Sequence, residues 1–479
     1  MRVRDALFVA AAALLAGCNV GPNYTRPSVP AAPAYKEPPP AEFKESNGWQ
    51  QAQPGDDKIR ADWWSIFGSA ELNALEQQVD PSNQTLKAAE ARFREARALI
   101  QLNRSNLYPT ISTSPSITSN RSSTNGVDAT TPSQYGNLVL PIDLNYELDA
   151  WGRIHRSITA AREETQATAA DLETMRLSVH AELAVDYFEL RSLDAQKRLL
   201  DQTLVAYLKA LELTQHRFDG GLTSRAEVAQ ARTQLETTRA QDIGVGVDRA
   251  QFEHAIAVLT GRTPETLSLP AEALNSTPPA IPIGIPSILL ERRPDIAAAE
   301  RRMAEANEQI GIAQAAFFPN LLITATGGLQ GETFVNWLTW PSRFWAVGPS
   351  MLQTIFDGGR RRAQADSATA SYDETVANYQ QAALSAFQQV EDNLSTLRIL
   401  SEQAKAQSVA VEAAQQSLEL SLNRYRGGLV TYLEVITAQS IALQNESTEV
   451  DLLRRRMDAS VLLIKALGGG WDVSKLPAS

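Results

Sequence analysis

The sequence predicts a mainly α-helical chain with a small membrane-type β portion, assembled from one ancestral unit copied once. Three observations carry that prediction. Residues 86–111 parallel 296–321, and 216–222 parallel 423–429, at a spacing of about 207 to 210 residues, too long for a solenoid and diagnostic of one internal duplication. Neither Gly nor Pro occurs in residues 157–219 or 360–426. Both stretches are dense in Ala, Leu, Gln, Glu and Arg, so each reads as a continuous helix on the order of 90 to 100 Å long. Finally, Leu138, Leu140, Ile142, Leu144, Tyr146 and Leu148 alternate with Asn137, Val139, Pro141, Asp143, Asn145, Glu147 and Asp149. One face is apolar and the other largely polar, as suits a strand between lipid and a wet lumen lined by Asp143, Asn145 and Glu147.

The chain opens with a positive end (Arg2, Arg4), a short apolar run over residues 6–15 and a small-residue site, Leu15-Ala16-Gly17-Cys18. Residues 1–17 therefore read as a secretory leader and are excluded from the fold. Leu-Ala-Gly-Cys resembles the bacterial lipobox, which makes Cys18 the first mature residue and the site of lipid attachment, where each buried methylene adds about 0.8 kcal/mol of membrane affinity. Cys18 is the only cysteine, so no internal disulfide is available to an exported chain. The same resemblance implies that Asn19, rather than Asp, after the cysteine favours onward sorting to the outer membrane.

Residues 18–60 are rich in Pro, Ala and Glu around Pro38-Pro39-Pro40 and read as an extended, poorly packed, lipid-anchored linker. Folding proper begins near Trp63 and Trp64. The first unit spans 61–270, an inter-repeat linker 271–290, the second unit 291–470 and a C-terminal tail 471–479. Each unit runs helix, two strands, then two long helices joined by a Gly-Gly turn. In the first long helix Leu172, Met175, Leu177, Val179, Leu183, Val185 and Leu190 keep a helical beat suited to coiled-coil-like seams. Gly244 and Gly246 loosen the helix that follows.

Companion strands are expected at 110–119, 320–328 and 343–356. Pro115, Pro141 and Pro349 each remove a ladder donor, and Trp337, Trp340, Phe344 and Trp345 flank the second hairpin as interfacial aromatics do. Hydrophobic residues make up 43% of the chain, yet no window reaches the roughly 18 apolar residues a spanning helix needs. Four strands cannot close a barrel, and an open edge in hydrocarbon leaves backbone groups unpaired at several kcal/mol each. Three copies would give a twelve-stranded barrel, four strands per chain, and the same rotation would gather the long helices into one tunnel.

At this point the pattern resembles the TolC-type outer membrane factors, in particular their lipidated, OprM-like and NodT-like members. The residues that carry the likeness are Trp63-Trp64 with Phe67, residues 291–296 (ERRPDI), 315–319 (AAFFP) and 356–360 (FDGGR), and the two Arg-aromatic-x-Gly-Gly turns. The resemblance implies a homotrimeric channel-tunnel with a β-barrel in outer-membrane lipid and a long α-helical barrel across the periplasm. A periplasmic adaptor and an inner-membrane efflux pump would dock at the far end. It implies that the tips, Gly220-Gly221-Leu222-Thr223-Ser224 and Gly427-Gly428-Leu429-Val430-Thr431, meet the adaptor. Residues 432–439 resemble the family's aperture-ringing run, with Leu433 and Glu434 kept and Thr437 uncharged where the family is acidic; the aperture is then expected to lack strong divalent-cation blockade. Tyr425 matches a family tyrosine that holds the aperture shut, with Glu212 as its expected partner.

Catalysis finds no foothold. There is no nucleophile elbow, phosphate loop or zinc motif, and His155, His180, His216 and His254 lack ligand spacing; no cofactor and no metal is expected. A formal net charge of −11 disfavours nucleic acid as a partner. The rival is a lipid-anchored periplasmic helical-hairpin adaptor without a pore, against which the second strand pair argues. The transported solute cannot be read from the sequence.

Overall fold

The computed structural model describes residues 20–29, 32–38, 62–121, 123, 134–274, 277–281, 289–471 and 476; the leader and Cys18 lie outside them. In the first unit a 3-10 turn at Trp63–Phe67 leads to α1 (Ala70–Ser82) and α2 (Gln84–Ser105). Three strands follow, β1 (Thr110–Ser112), β2 (Ser116–Arg121) and β3 (Gln134–Leu148), then α3 (Arg153–Asp219) and α4 (Arg225–Leu259). The second unit repeats the plan with α5 (Pro294–Ala315), β4 (Asn320–Gly331), β5 (Arg343–Leu352), α6 (Arg360–Arg426) and α7 (Tyr432–Ala466).

Three helices of each unit agree in length to the residue. α2 and α5 each have 22 residues, α3 and α6 each 67, and α4 and α7 each 35. At 1.5 Å per residue the 67-residue rods are about 100 Å long, as the missing Gly and Pro foretold. Each rod starts under an aspartate that accepts backbone N–H groups the helix leaves unpaired. Asp149 takes those of Ile154 and His155 at 3.0 and 2.8 Å, and Asp357 those of Gly359 and Arg361 at 3.1 and 3.3 Å. Gly244 and Gly246 lie inside α4 without interrupting it.

All strands form one antiparallel sheet, with β1 and β2 both on one side of β3, then β4 and β5. The first ribbon, expected to be continuous over 110–119, is broken at residues 113–115, where Pro115 cannot donate to β3. β1 and β2 are the two pieces of one ribbon, so the sheet is four ribbons wide. β4 runs on to Gly331 and β5 stops at Leu352, short of the expected 356.

Helix packing follows the duplication. α3 lies against α2, α4, α5 and α7, while α6 lies against α5 and α7. The largest core sits where the rods are flanked from all sides. It gathers Trp63, Trp64 and Phe67, Leu183 and Phe188 of α3, Val390 and Leu394 of α6, and Met457 and Leu463 of α7, each worth roughly 1.5 to 3 kcal/mol when fully buried. Inside it His180 stacks on Trp64 at 4.5 Å and bonds Glu76 through Nδ1 at 2.6 Å. Burial pushes the Glu76 carboxyl up to about 7. For His180 burial alone would lower the imidazole, but Asp80 and Glu76 outweigh it and take it up to about 9.

The linker expectation is corrected in part. Residues 20–29 and 32–38 lie along the body: Val20 N donates to Trp151 O at 3.3 Å, Tyr24 to Glu300 at 2.5 Å and Arg26 to the Tyr379 hydroxyl at 3.1 Å. Lower down, the Glu391 carboxylate accepts the backbone N–H of Lys36 and Glu37 at 2.7 and 2.9 Å. Proline-rich composition specifies an extended chain, and an extended chain can pair its free backbone groups with side chains of a neighbouring helix.

Candidate functional site

Two places carry the geometry that function would need: the sheet at one end of the rods and the two helix tips at the other. In the sheet, residues directly opposite one another on antiparallel strands point to the same face. One face therefore carries Ile111, Leu144, Ala325 and Val347 in one row, Ile142, Gly327 and Trp345 in another, and Leu148, Leu321 and Met351 in a third. The other face carries Ser112, Asp143, Thr326 and Ala346, then Thr110, Asn145, Thr324 and Gly348. Thr326 donates to Asp143 across that polar face at 2.6 Å. Glu147 lies at the foot of β3 and is held by Arg153, with Nη2 to Oε2 at 2.8 Å.

Apolar side chains stay in the open on the first face. Ile111 is 69% exposed, Ile142 59% and Trp345 77%. Among the described residues no helix is long and apolar enough to cross a membrane. The sheet's first ribbon (β1 and β2) and its last (β5) have, among the described residues, no strand beyond them.

At the tips, α3 turns into α4 and α6 into α7 by the same device. Leu222 N bonds Arg217 O and Gly221 N bonds Phe218 O, both at 2.8 Å; Leu429 N bonds Arg424 O and Gly428 N bonds Tyr425 O, both at 3.0 Å. This is the Schellman closure, which needs a left-handed residue at its bend. Gly221 and Gly428 supply it at φ 71° and 73°, whereas Gly220 and Gly427 have negative φ, so only the second glycine of each pair is conformationally required. Ser224 then caps α4 through Glu227 N, at 3.4 Å, and Thr431 precedes α7 without a side-chain cap. Thr223 bonds the Glu227 carboxylate. Leu222 and Leu429 project at the ends, 72% and 76% exposed, and Val430 packs inward beside Tyr425 and Tyr432.

The expected Tyr425 to Glu212 latch is not made. The Tyr425 hydroxyl meets Glu227 Oε2 at 3.3 Å and Thr214 Oγ1 at 3.5 Å, while Glu212 is exposed. Residues 212 and 214 are two apart on a helix, about 200° around its axis, so α3 cannot offer both to the same ring. Glu227 could have been found from the sequence, because it stands at the position that Glu434 occupies in the second unit, 207 residues on. Arg217 was also missed. It reaches across to Tyr425 O at 2.8 Å and Arg426 O at 3.4 Å and lies 4.6 Å from the centre of the Tyr425 ring, tying one tip to the other. Its counterpart Arg424 pairs instead with Glu434, at 2.6 Å. Leu433 is exposed, and Thr437 bonds the Leu433 carbonyl at 3.0 Å. Among the described residues no group of His, Cys, Asp and Glu is placed to hold a metal.

Residues 75–262 and 285–469 match the family model described as outer membrane efflux protein. The chain is 31% identical over 471 residues to the toluene efflux pump outer membrane protein TtgF of Pseudomonas putida, covering 97% of each. It is 29% identical over 462 residues to the cation efflux system protein CusC of Escherichia coli, covering 96% of this chain and 97% of that one. Among solved structures, the outer-membrane channel OprN superposes with a TM-score of 0.85 at 29% identity, over 95% of this chain and 100% of that one.

Proposed function

The chain belongs to the outer membrane efflux protein family, and from that membership we infer that it is the outer-membrane channel of a tripartite efflux pump. It is a passive exit duct for small solutes, trimeric, with its sheet in the outer membrane and its rods extending into the periplasm. The observation that carries this reading is the four-ribbon sheet, apolar across one face, polar across the other and open at both edges. An open edge is untenable in hydrocarbon, and three copies close it into twelve strands around a lumen to which Asp143, Asn145 and Glu147 contribute. A helical-hairpin adaptor without a pore has no use for such a sheet. Native mass spectrometry of the detergent-extracted protein should give three chains per particle; a single chain would contradict the reading.

Several finer roles belong to the same proposal. Cys18 carries the lipid, and the bond from Val20 to Trp151 at the base of the sheet supports a place for it at the membrane edge. The exposed leucines Leu222 and Leu429 meet the adaptor. The tips form the aperture, held by Tyr425 with Glu227 and by Arg424 with Glu434, and Leu433 and Thr437 line it. Relatives are named for toluene and for cations, which supports leaving the choice of solute to the inner-membrane pump rather than to the duct.

A further inference from the structure

The connection between β4 and β5 does not point straight out from the end of the sheet but folds back over its apolar face. Gly331 and Leu138 stand opposite each other in the row above Leu329 and Leu140, and a Cβ on Gly331 would come to 3.0 Å from the Trp337 Cα. The helical turn Phe334–Trp337 therefore lies on that face, with Trp337 Nε1 donating to Leu329 O at 3.3 Å. Beneath it Leu138 is only 3% exposed, whereas Ile142, two rows below, is 59% exposed. Thr339 and Ser342 both donate to Asn336 O, at 2.7 and 2.5 Å, and fix the loop that follows. Phe334, Val335, Leu338 and Trp340 are held outward, 69%, 85%, 66% and 76% exposed.

Next to this turn, Arg343 opens β5 on the same face, opposite Leu329. Its guanidinium lies 4.1 Å from the centre of the Trp340 ring, and among the described residues no carboxylate pairs with it. Trp345, Val347 and Met351 follow it along the strand on that face, 77%, 65% and 68% exposed. The Met351 end leads to α6, which starts at Arg360, so Arg343 stands at the end of the sheet away from the rods. From Arg343 to Met351 is about 27 Å along an extended strand, and about 20 Å along the membrane normal at the tilt of a barrel. That is close to the height of the apolar band of an outer-membrane barrel, which puts Arg343 at the outer edge of the band. There a guanidinium reaches the headgroup layer, whereas at mid-depth it would be costly.

We propose that Arg343 and Trp340, beside the turn 334–337, form a docking site for a phosphorylated lipid of the outer leaflet. The guanidinium holds a headgroup phosphate through paired N–H donors, and the column of Trp345, Val347 and Met351 takes an acyl chain. A cation above an apolar column has the anatomy of such a lipid turned inside out, and the exposed turn carries the lipid-facing surface of the sheet outward to the headgroups. This inference rests on the reading of the sheet as part of a membrane barrel and adds to it a ligand of stated chemistry.

Native mass spectrometry of the detergent-extracted trimer, incubated with diphosphorylated lipid A or with the same lipid stripped of its phosphates, reads the site directly. The wild type should retain the phosphorylated form about tenfold more strongly. Arg343→Gln should remove that preference with the trimer intact, and Arg343→Lys should keep part of it. Excess inorganic phosphate should leave the lipid bound, because the acyl contacts remain. Equal retention of both forms by the wild type, an unchanged preference in Arg343→Gln, or displacement by inorganic phosphate would each overturn the site. Spin labels placed through Val335→Cys and Val347→Cys in proteoliposomes separate this inference from the barrel reading; Cys18, the only native cysteine, is acylated in that reading and takes no label. Both labels should collide with oxygen more than with a water-soluble nickel chelate. A nickel-accessible label at 335 with a shielded one at 347 would overturn the docked turn alone, and nickel access at 347 would contradict the barrel itself.

Discussion

α2 and α5 are copies of one 22-residue helix, yet the first buries three residues and the second twelve. α5 lies between two rods and under residues 20–29, while α2 touches one rod and leaves its other flank open. The same ancestral helix has thus become a core element in one unit and an interface element in the other. The lesson is that two copies of one helix diverge with what covers them: α5 is packed from two sides, and α2 keeps one flank exposed.

Each unit must also anchor the start of its short helix to the end of its last helix, and the two do so with different chemistry. Asn83 donates to Leu259 O at 2.9 Å and accepts Leu86 N at 3.0 Å. At the equivalent position Arg293 donates to Ala466 O at 3.0 Å, to Gln389 and to both oxygens of Asp295. Arg293→Ala takes the donor from a helix end and the partner from the half-exposed Asp295, and should cost about 2 to 3 kcal/mol. Asn83→Ala removes an N-cap and should cost about 1 to 2 kcal/mol. Denaturant unfolding of the two variants checks the order; equal losses would mean that the junctions are interchangeable.

A second contrast is His180 with Glu76 in the first unit against Phe387, its counterpart, in the second. Both His180 and Glu76 have folded values above their ordinary ones, about 9 and about 7. Their contributions are therefore complete at low pH, that of Glu76 fading as pH rises through 7 and that of His180 through 9. Asp80, held below the usual range by the neighbouring His180 imidazolium 3.5 Å away, weakens only on the acid side. The wild type should lose on the order of 2 kcal/mol between pH 7 and 9.5 relative to a His180→Phe, Glu76→Leu variant. Melting temperatures of both proteins across that window measure it, and parallel curves would remove the pair as the cause.

The smallest effect lies within one tip. Gly428→Ala places a Cβ at φ 73° and should cost about 1 kcal/mol, while Gly427→Ala, at φ −75°, should stay within about 0.5 kcal/mol of wild type. Unfolding midpoints of the pair decide it, and a larger loss at Gly427 would point to a partner against that glycine in the assembly.

The rods, the duplication and the sheet were legible because each depends on a period or an absence that one chain displays: no Gly or Pro for 67 residues, a repeat near 207, alternation from Leu138 to Leu148. Pro115 announced the break in the first ribbon without saying that pairing would resume at Ser116. The Tyr425 partner was not legible from proximity along α3, since it comes from the far side of a turn, on α4. Its signal was the repeat itself, Glu227 standing where Glu434 stands. The packed course of residues 20–38 was hidden for a different reason: it depends on tertiary partners such as Glu300 and Glu391, distant in sequence.

Single-channel recording in planar bilayers tests the central claim most directly. Purified trimer should insert in discrete conducting steps, and dissociated monomer from the same preparation should be silent, because four ribbons enclose no lumen. Conductance carried by the monomer, or a stable trimer that never conducts, would contradict the account.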